Sequence, residues 1–242
     1  MLDIRKQHGA APFDTARLDQ LMDDAGIDVL LATSKHNVQY LLGGHRAFFF
    51  DTLDAIGVTR YLPVFVYPKG APQKAGYFGH RMEGYQVAVK PFWVSEVNTK
   101  SSGAIDVMER AAGYVRQLPA RPQRIGVELS FLPADAAATL RKAFPDAELK
   151  DALFVLERLR ARKAPEELAK LRLASDLVID SMLAVIDSHG PGATKAQMAE
   201  ALRREETMRG LIFDLYEEPE VKDSNGEPVV NRVLTIMLAD EY

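Results

Sequence analysis

A long amphipathic helix is predicted from residue 165 to about residue 188, and it divides the chain into two parts of different character. Proline suits the first turn of a helix, and the two glutamates after Pro165 favour the positive end of the helix dipole. Apolar residues then recur every three or four positions, which places them on one face: Leu168, Leu171, Ala174, Val178, Met182 and Val185. The helix is expected to stop at His189, where a Gly-Pro-Gly turn follows. On periodicity alone, this is an ordinary amphipathic helix at the start of a domain.

Before this helix, short apolar strands alternate with helices, and this alternation predicts an α/β fold with a mixed sheet flanked by helices. The predicted helices cover residues 14–25, 101–117 and 133–143, and the predicted strands cover residues 27–32, 61–67, 75–80 and 124–128. Residues 86–89 are a possible further strand, and residues 90–99 are expected to form a loop that carries Trp93. Residues 1–159 are therefore expected to form the first domain.

Residues 160–242 are expected to form a second, incomplete α+β domain. Thr194 and Gln197 have the spacing of a capping box, so a second helix should begin there and end near Gly210. Residues 211–216 are predicted to be a strand. The tail contains a β-prone run at 229–239, which needs a partner: either the 211–216 strand or a second chain across an exposed edge.

Charge and cysteine content exclude several classes of function. The net charge is −4, and residues 210–242 hold 2 basic and 8 acidic side chains, which disfavours nucleic acid or an anionic membrane as a partner. The chain has no cysteine, so it has no disulfide, no thiolate metal ligand and no cysteine nucleophile. This composition fits a cytoplasmic protein. No signal peptide or membrane-spanning run is expected.

Two motifs carry a resemblance to a known family. Residues 160–168 read RARKAPEEL, and residues 37–43, just after the first predicted strand, read NVQYLLG. In this order they resemble the creatinase/prolidase family of "pita-bread" enzymes, with a creatinase-type N-terminal domain followed by the start of the catalytic domain. The resemblance implies metal-dependent hydrolysis of a C–N bond, as in Xaa-Pro aminopeptidases, prolidases and creatinase or ectoine hydrolase. It also implies a homodimer and a small peptide or other small C–N substrate.

The segment after the second motif contains the candidate substrate-binding residues. His45, Arg46 and one of the phenylalanines 48–50, with Phe48 the first candidate, lie where the family's loop reaches the partner subunit's active site. The resemblance implies that an arginine and an aromatic residue there hold the substrate's carboxylate and its apolar part. A guanidinium suits a carboxylate because it binds in a bidentate fork. The alternative is a surface arginine beside an apolar rim.

The resemblance stops near Tyr216, before the catalytic residues of the family. Members of the family hold two ions of manganese, cobalt or zinc with two aspartates, a histidine and two glutamates downstream of this strand. This chain has no histidine after His189, so no metal ligand and no catalytic residue is assigned, and Asp214, Asp223 and Asp240 are left unassigned. The chain is therefore expected to be a truncated or divergent member that is inactive alone.

Two other functions are open. The first is a non-catalytic module for dimerisation or substrate gating that partners a full-length relative. The second is an enzyme with a rewired site that uses His45, His80 and carboxylates of the tail, although no pair of these residues has metal-ligand spacing on a shared element. His80 is more simply a structural residue at the end of a strand.

Overall fold

The computed structural model describes residues 10–45, 60–89, 91–215, 221–222, 228–229 and 234–238. It divides into two compact units, Met1–Arg162 and Lys163–Tyr242. The division falls close to residue 160, where the sequence places the end of the first domain. That the second unit is part of a catalytic domain stays a prediction.

The first unit is built on a six-stranded sheet with the order β4-β3-β2-β1-β5-β6. The strands are β1 (Val29–Ala32), β2 (Val64–Pro68), β3 (Gly76–His80), β4 (Glu96–Ser101), β5 (Arg124–Val127) and β6 (Glu148–Asp151). β1 lies at the centre, antiparallel to β2 and parallel to β5. β3 is antiparallel to β2 and parallel to β4, and β6 is parallel to β5. The prediction of a mixed sheet is confirmed.

Helices cover both faces of this sheet. They are α1 (Thr15–Ala25), α2 (Lys35–Leu41), α3 (Gly84–Val89), α4 (Ala104–Arg116), α5 (Ala134–Ala143) and α6 (Leu153–Ala161). β1 shows how the faces are divided: Leu30 and Ala32 belong to a core cluster shared with α1, α2 and α6, whereas Val29 and Leu31 belong to a second cluster shared with α4 and α5. Successive side chains of a strand point to opposite faces, so a strand buried on both faces is continuously apolar.

The elements that differ from the sequence prediction are short or polar. Residues 86–89 belong to helix α3, because the chain there continues from a 3-10 turn over Arg81–Glu83. β4 begins inside the predicted loop, and its sequence EVNTKS has mostly half-exposed side chains because the strand lies at the edge of the sheet. β6 is also an edge strand with exposed ends. Neither edge strand has the apolar pattern that marks a buried strand.

The second unit begins with two helices, α7 (Pro165–Ser188) and α8 (Lys195–Met208), both close to their predicted bounds. The tail pairs within the chain: β10 (Leu234–Leu238) lies antiparallel to β7 (Leu211–Leu215), and β8 (Val221–Lys222) to β9 (Pro228–Val229). α7 departs from expectation in its burial, because Val185 is buried while Leu168, Leu171 and Met182 are exposed. Across the described ranges, no helix combines the length and apolarity that a bilayer span requires.

Candidate functional site

The candidate site lies at the end of α2, where two glycines turn the chain toward His45. Gly43 and Gly44 have φ angles of 77° and 86°, which are in the left-handed region that favours glycine. A Cβ atom on Gly43 would also lie 3.2 Å from Cβ of Pro12. Backbone conformation therefore favours glycine at both positions, and close packing against Pro12 adds to this at Gly43.

His45 packs against an aromatic wall. Its ring meets the ring of Phe92 edge-on, with centroids 4.4 Å apart, and Phe92 in turn meets Tyr77 edge-on at 5.2 Å. His45 lines a small cavity of about 190 Å³ together with seven neighbours: Ala10, Pro12, Leu42, Gly43, Pro91, Phe92 and Trp93. We call this cavity and its lining the His45 corner. An imidazole held there can donate or accept a hydrogen bond beside an apolar surface.

Trp93 fixes this corner to the end of α2. Its indole Nε1 donates to the carbonyl oxygen of Leu41 at 2.8 Å. Phe13 then packs edge-on against the Trp93 ring at 5.7 Å and also contacts Tyr40 and Tyr67. The segment that carries Phe92 and Trp93 is therefore held against the same helix end that presents His45.

The other two predicted substrate-binding residues, Arg46 and Phe48, lie outside the described residues. The His45 corner fixes the point from which they start, because they follow His45 directly in the chain. The structure thus places one of the three predicted contacts, and the roles of all three stay predictions.

A buried carboxylate holds the start of α2 in position. Glu128, directly after β5, is fully buried. One of its oxygens accepts hydrogen bonds from the backbone amides of Thr33 (2.6 Å) and Ser34 (2.9 Å). The other accepts from the Ser34 hydroxyl and the Asn37 side-chain amide, both at 2.6 Å. Glu128 therefore joins the loop after β1, the start of α2 and the end of β5.

This network links the two motifs of the sequence. Asn37 comes from the NVQYLLG motif and Arg160 from the RARKAPEEL motif, and Nη1 of Arg160 donates to Oδ1 of Asn37 at 3.2 Å. Both motifs therefore meet at Asn37, which is held in turn by Glu128, a residue that the sequence analysis did not single out. Its signal was weak, because a glutamate after a strand is usually solvent-exposed.

His80 has a structural role, as the simpler interpretation of the sequence expected. Its Nδ1 accepts from the backbone amide of Met82 at 3.4 Å, and its backbone amide donates to the carboxylate of Glu83 at 3.0 Å. Glu83 is fully buried and also accepts a short hydrogen bond from the Tyr77 hydroxyl. Burial raises the pKa of the Tyr77 phenol, so this group stays protonated and remains a donor.

The buried Glu83 predicts a pH-dependent stability. Burial raises the pKa of Glu83 above its ordinary value of 4.5, so the unfolded chain loses this proton at a lower pH than the folded chain. The free energy of unfolding should then fall as pH rises from 4.5 to the raised pKa, relative to the Glu83→Gln variant. Urea unfolding of both proteins from about pH 4 to about pH 8 measures this difference. The exposed Glu109→Gln control should follow the wild type, and parallel profiles for wild type and Glu83→Gln would contradict the prediction.

A larger cavity, of about 480 Å³, opens at the carboxyl ends of β1 and β5. Its lining is: Thr33, Ser34, Lys35, His36, Tyr61, Leu62, Pro63, Ser130, Phe131, Leu132 and Pro133. The ring of His36 meets that of Phe131 edge-on at 5.3 Å. Desolvation, followed by the charge of Arg160, lowers the pKa of His36, which favours its neutral form.

The described residues do not fit a two-metal centre. Across the ranges that the structure describes, no group of three His, Cys, Asp or Glu side chains is placed to share a metal ion. His45 and His80 have different surroundings: Phe92 packs on the first, and Tyr61 on the second at 6.3 Å between centroids. Of the tail carboxylates, Asp214 belongs to β7, whereas Asp223 and Asp240 lie outside the described residues.

A sequence profile of the creatinase/prolidase N-terminal domain matches residues 15–162. The chain belongs to this family. The match covers the whole sheet of the first unit, from α1 to the end of α6, and includes His45, Phe92, Trp93 and Glu128. The predicted family is therefore confirmed.

The creatinase/prolidase relatives are longer than this chain. An uncharacterized hydrolase/peptidase of Sinorhizobium fredii, y4tM, is 26% identical over 190 residues, which are 77% of this chain and 47% of that protein. The chain thus spans about half the length of this curated relative.

Solved structures share the fold. The Xaa-Pro dipeptidase from Bacillus anthracis superposes with a TM-score of 0.62 at 18% identity, covering 90% of this chain and 56% of that one. The prolidase from Pyrococcus furiosus gives a TM-score of 0.61 at 15% identity, covering 93% of this chain and 67% of that one. At these identities the similarity establishes the fold alone.

Proposed function

We propose that this chain is the substrate-gating, N-terminal part of a creatinase/prolidase-type hydrolase and that it does not hydrolyse peptides alone. The observation that carries the proposal is the His45 corner, which packs one candidate substrate-binding residue in a domain whose described residues do not assemble a metal centre. The substrate class is an Xaa-Pro peptide or a similarly small molecule with a C–N bond. The setting is a cytoplasmic homodimer or a complex with a full-length relative.

The chemistry of the corner and of the residues after it suits a small peptide. His45 presents an imidazole beside the apolar faces of Phe92 and Pro91, so one hydrogen bond can form next to an apolar contact. Arg46 adds a guanidinium that matches a terminal carboxylate, and Phe48 adds an apolar ring. In this proposal the three residues hold the substrate, while the ligands of manganese, cobalt or zinc come from another chain or segment.

The chain alone is expected to bind no metal pair and to give no turnover of an Xaa-Pro dipeptide. This is expected because the described residues offer no group of three side chains that could bind a metal ion. The sequence also has no histidine after His189. The purified chain is incubated with manganese, cobalt or zinc, freed of excess metal, and assayed for bound ions and for proline release. Retention of about two ions per chain together with proline release would overturn the proposal.

In an active protein that contains this domain, Arg46→Ala is expected to raise KM about tenfold or more with a smaller change in kcat, because loss of a carboxylate contact weakens binding. Steady-state kinetics with an Xaa-Pro dipeptide measures both constants. Arg121→Ala, a change at an exposed arginine before β5, is the matched control and should leave both constants unchanged. An unchanged KM for Arg46→Ala would remove Arg46 from the substrate site.

A non-catalytic partner module is the second candidate, and the apolar exposure of α7 favours it. Its test is co-purification of the chain with a full-length Xaa-Pro dipeptidase of the family. Binding without any activity of the chain itself would support this second function. Proline release by the chain alone would exclude it.

A further inference from the structure

The sheet topology opens a crevice between β1 and β5. The two strands are parallel neighbours, so their carboxyl ends lie at the same edge of the sheet. The chain leaves β1 toward one face, because Val38 and Leu41 of α2 join the core cluster on that face. It leaves β5 toward the other face, because Ala136 and Leu140 of α5 join the opposite cluster. Connections that diverge in this way leave a crevice at the strand ends, where α/β proteins commonly bind ligands.

The cavity of about 480 Å³ at the carboxyl ends of β1 and β5 occupies this crevice, and we call it the β1–β5 cavity. Its lining comes from residues 33–36 after β1, 61–63 before β2 and 130–133 after β5. The start of β2 contributes because β2 runs antiparallel to β1, which sets its first residues beside the end of β1. A cavity of this volume falls in the range of about 300–1,000 Å³ that small-molecule sites occupy.

Hydrogen bonds fix the inner end of the cavity. Thr33 and Ser34 are buried there, and Glu128 accepts from both backbone amides and from the Ser34 hydroxyl. The Thr33 hydroxyl donates to the carbonyl oxygen of Phe131 at 3.3 Å, which joins the segments after β1 and β5. These donors already have acceptors within the chain. A polar group of a ligand therefore finds its partners at the mouth of the cavity.

The mouth of the cavity carries a positive charge. The lining that the structure describes contains the half-buried Lys35 and no acidic residue. His36, beside it, has a lowered pKa that favours the neutral imidazole. Arg60 and Asp135, which lie close to the lining in the sequence, form an ion pair with each other. A ligand with a negative charge is therefore favoured over one with a positive charge.

The rest of the lining is largely apolar and partly aromatic. Tyr61 and Leu62 are buried at the inner end, whereas Phe131 at the mouth is 44% exposed. The ring of Phe131 is the one that His36 meets edge-on at 5.3 Å. An exposed ring beside a cavity is removed from water when an aromatic group covers it, and paired rings add a favourable contact. The lining therefore suits a ligand with an aromatic body.

We propose that the β1–β5 cavity binds a small aryl carboxylic acid. The aromatic body of the ligand lies against Leu62, Pro63 and Phe131, and its carboxylate lies at the mouth near Lys35. Among the described residues, the lining has no member in common with the His45 corner. The inference therefore goes beyond the proposed role in substrate gating, and each can fail without the other.

A titration followed by proton NMR of the histidine rings tests the site. The probes are 3-phenylpropionate, 3-phenylpropionamide and 3-phenylpropylamine, which share a ring and differ in charge. The acid should shift the His36 resonances, identified by their loss in His36→Gln, with a dissociation constant of about 1 mM. The amide and the amine should bind about fivefold more weakly or worse, because neither is negatively charged at about pH 7.

Variants of the mouth separate charge from apolar contact. Lys35→Gln should weaken binding of the acid about fivefold and leave binding of the amide unchanged. Lys142→Gln, at an exposed lysine of α5, is its control. Phe131→Ala should weaken binding of all three probes, whereas Leu129→Ala should not, since Leu129 is 48% exposed on the same 3-10 turn but is absent from the lining.

A cavity-filling variant tests the location of the site independently of these contacts. Ser130 is an exposed residue of the lining, so Ser130→Trp should block the mouth without removing a core contact, and the acid should no longer shift the His36 resonances. Circular dichroism confirms that each variant keeps its fold.

Several outcomes would overturn the proposal. His36 resonances that stay in place up to about 10 mM acid would show that the cavity does not bind this class of ligand. Equal affinities for the acid and the amine, or an unchanged affinity of Lys35→Gln for the acid, would exclude the assigned charge contact. Shifts that persist in Ser130→Trp, or that appear at His45 instead, would place the probe elsewhere.

Discussion

Glu128→Ala is expected to lower the free energy of unfolding of the first unit by about 4 kcal/mol. The substitution leaves two backbone amides, a hydroxyl and a side-chain amide without their buried acceptor. Each unsatisfied buried group costs about 1–3 kcal/mol, and some of these donors can turn to other acceptors, which keeps the total below the full sum. Urea unfolding followed by the fluorescence of Trp93 measures the loss.

Glu128→Gln removes the negative charge of the side chain but keeps its size and shape, so it tests the two contributions separately. The amide nitrogen of glutamine cannot face Thr33 and Ser34, whose backbone N–H groups cannot reverse. It must face the Ser34 hydroxyl and Asn37, which can rotate, but rotation of Asn37 breaks its bond with Arg160. The expected loss is about 2 kcal/mol. Glu148→Ala, at an exposed end of β6, should change stability by less than about 0.5 kcal/mol, and equal effects at positions 128 and 148 would contradict the assigned role.

Trp93→Ala is expected to cost about 3 kcal/mol and to release the His45 corner from the end of α2. The substitution removes both the bond to the Leu41 carbonyl and the ring that packs on Phe13 and Phe65. Trp93→Phe keeps a ring and loses the hydrogen bond, so about 1 kcal/mol is expected. Urea unfolding followed by circular dichroism measures these values, because the variants lack tryptophan.

The His45 ring gives a second readout of the Trp93 variants. Its proton resonances should move toward their positions in an unstructured peptide in Trp93→Ala, because Phe92 no longer packs on the ring in one place. Tyr85→Ala, a change at a side chain that is 80% exposed, should leave both the stability and these resonances unchanged. Unchanged His45 resonances in Trp93→Ala would show that the corner does not depend on this anchor.

The central elements of the fold were predictable because the local spacing of their apolar residues indicates which side chains are buried. β1 and β2 are continuous apolar runs, and α7 begins at a proline followed by two glutamates. β4 and β6 were not predicted as strands, since each is an edge strand whose side chains are partly exposed. Their strand conformation comes from pairing with β3 and β5, which no local window of sequence contains.

The candidate site was predictable only in part, for a similar reason. His45 follows a recognisable motif and was identified from it. Its aromatic partner Phe92 comes from a segment expected to be a loop, as does Trp93, which bonds to the end of α2. Glu128 comes from a third segment. These contacts join residues far apart in sequence, so they depend on the sheet order, which a single sequence does not specify.

The position of β1 also sets an order of events during synthesis. β1 pairs with β5, and the bonds of Glu128 join residues 91–95 positions apart, while Arg160 completes the network 123 positions after Asn37. Contacts of such long range form late. Closing a large loop lowers the conformational entropy of the chain before the favourable contacts form. In a ribosome-bound chain that ends before β5, the edge of β1 that pairs with β5 in the native sheet has no partner strand. The network around Glu128 and Asn37 can therefore be completed only after Arg160 has left the ribosomal tunnel.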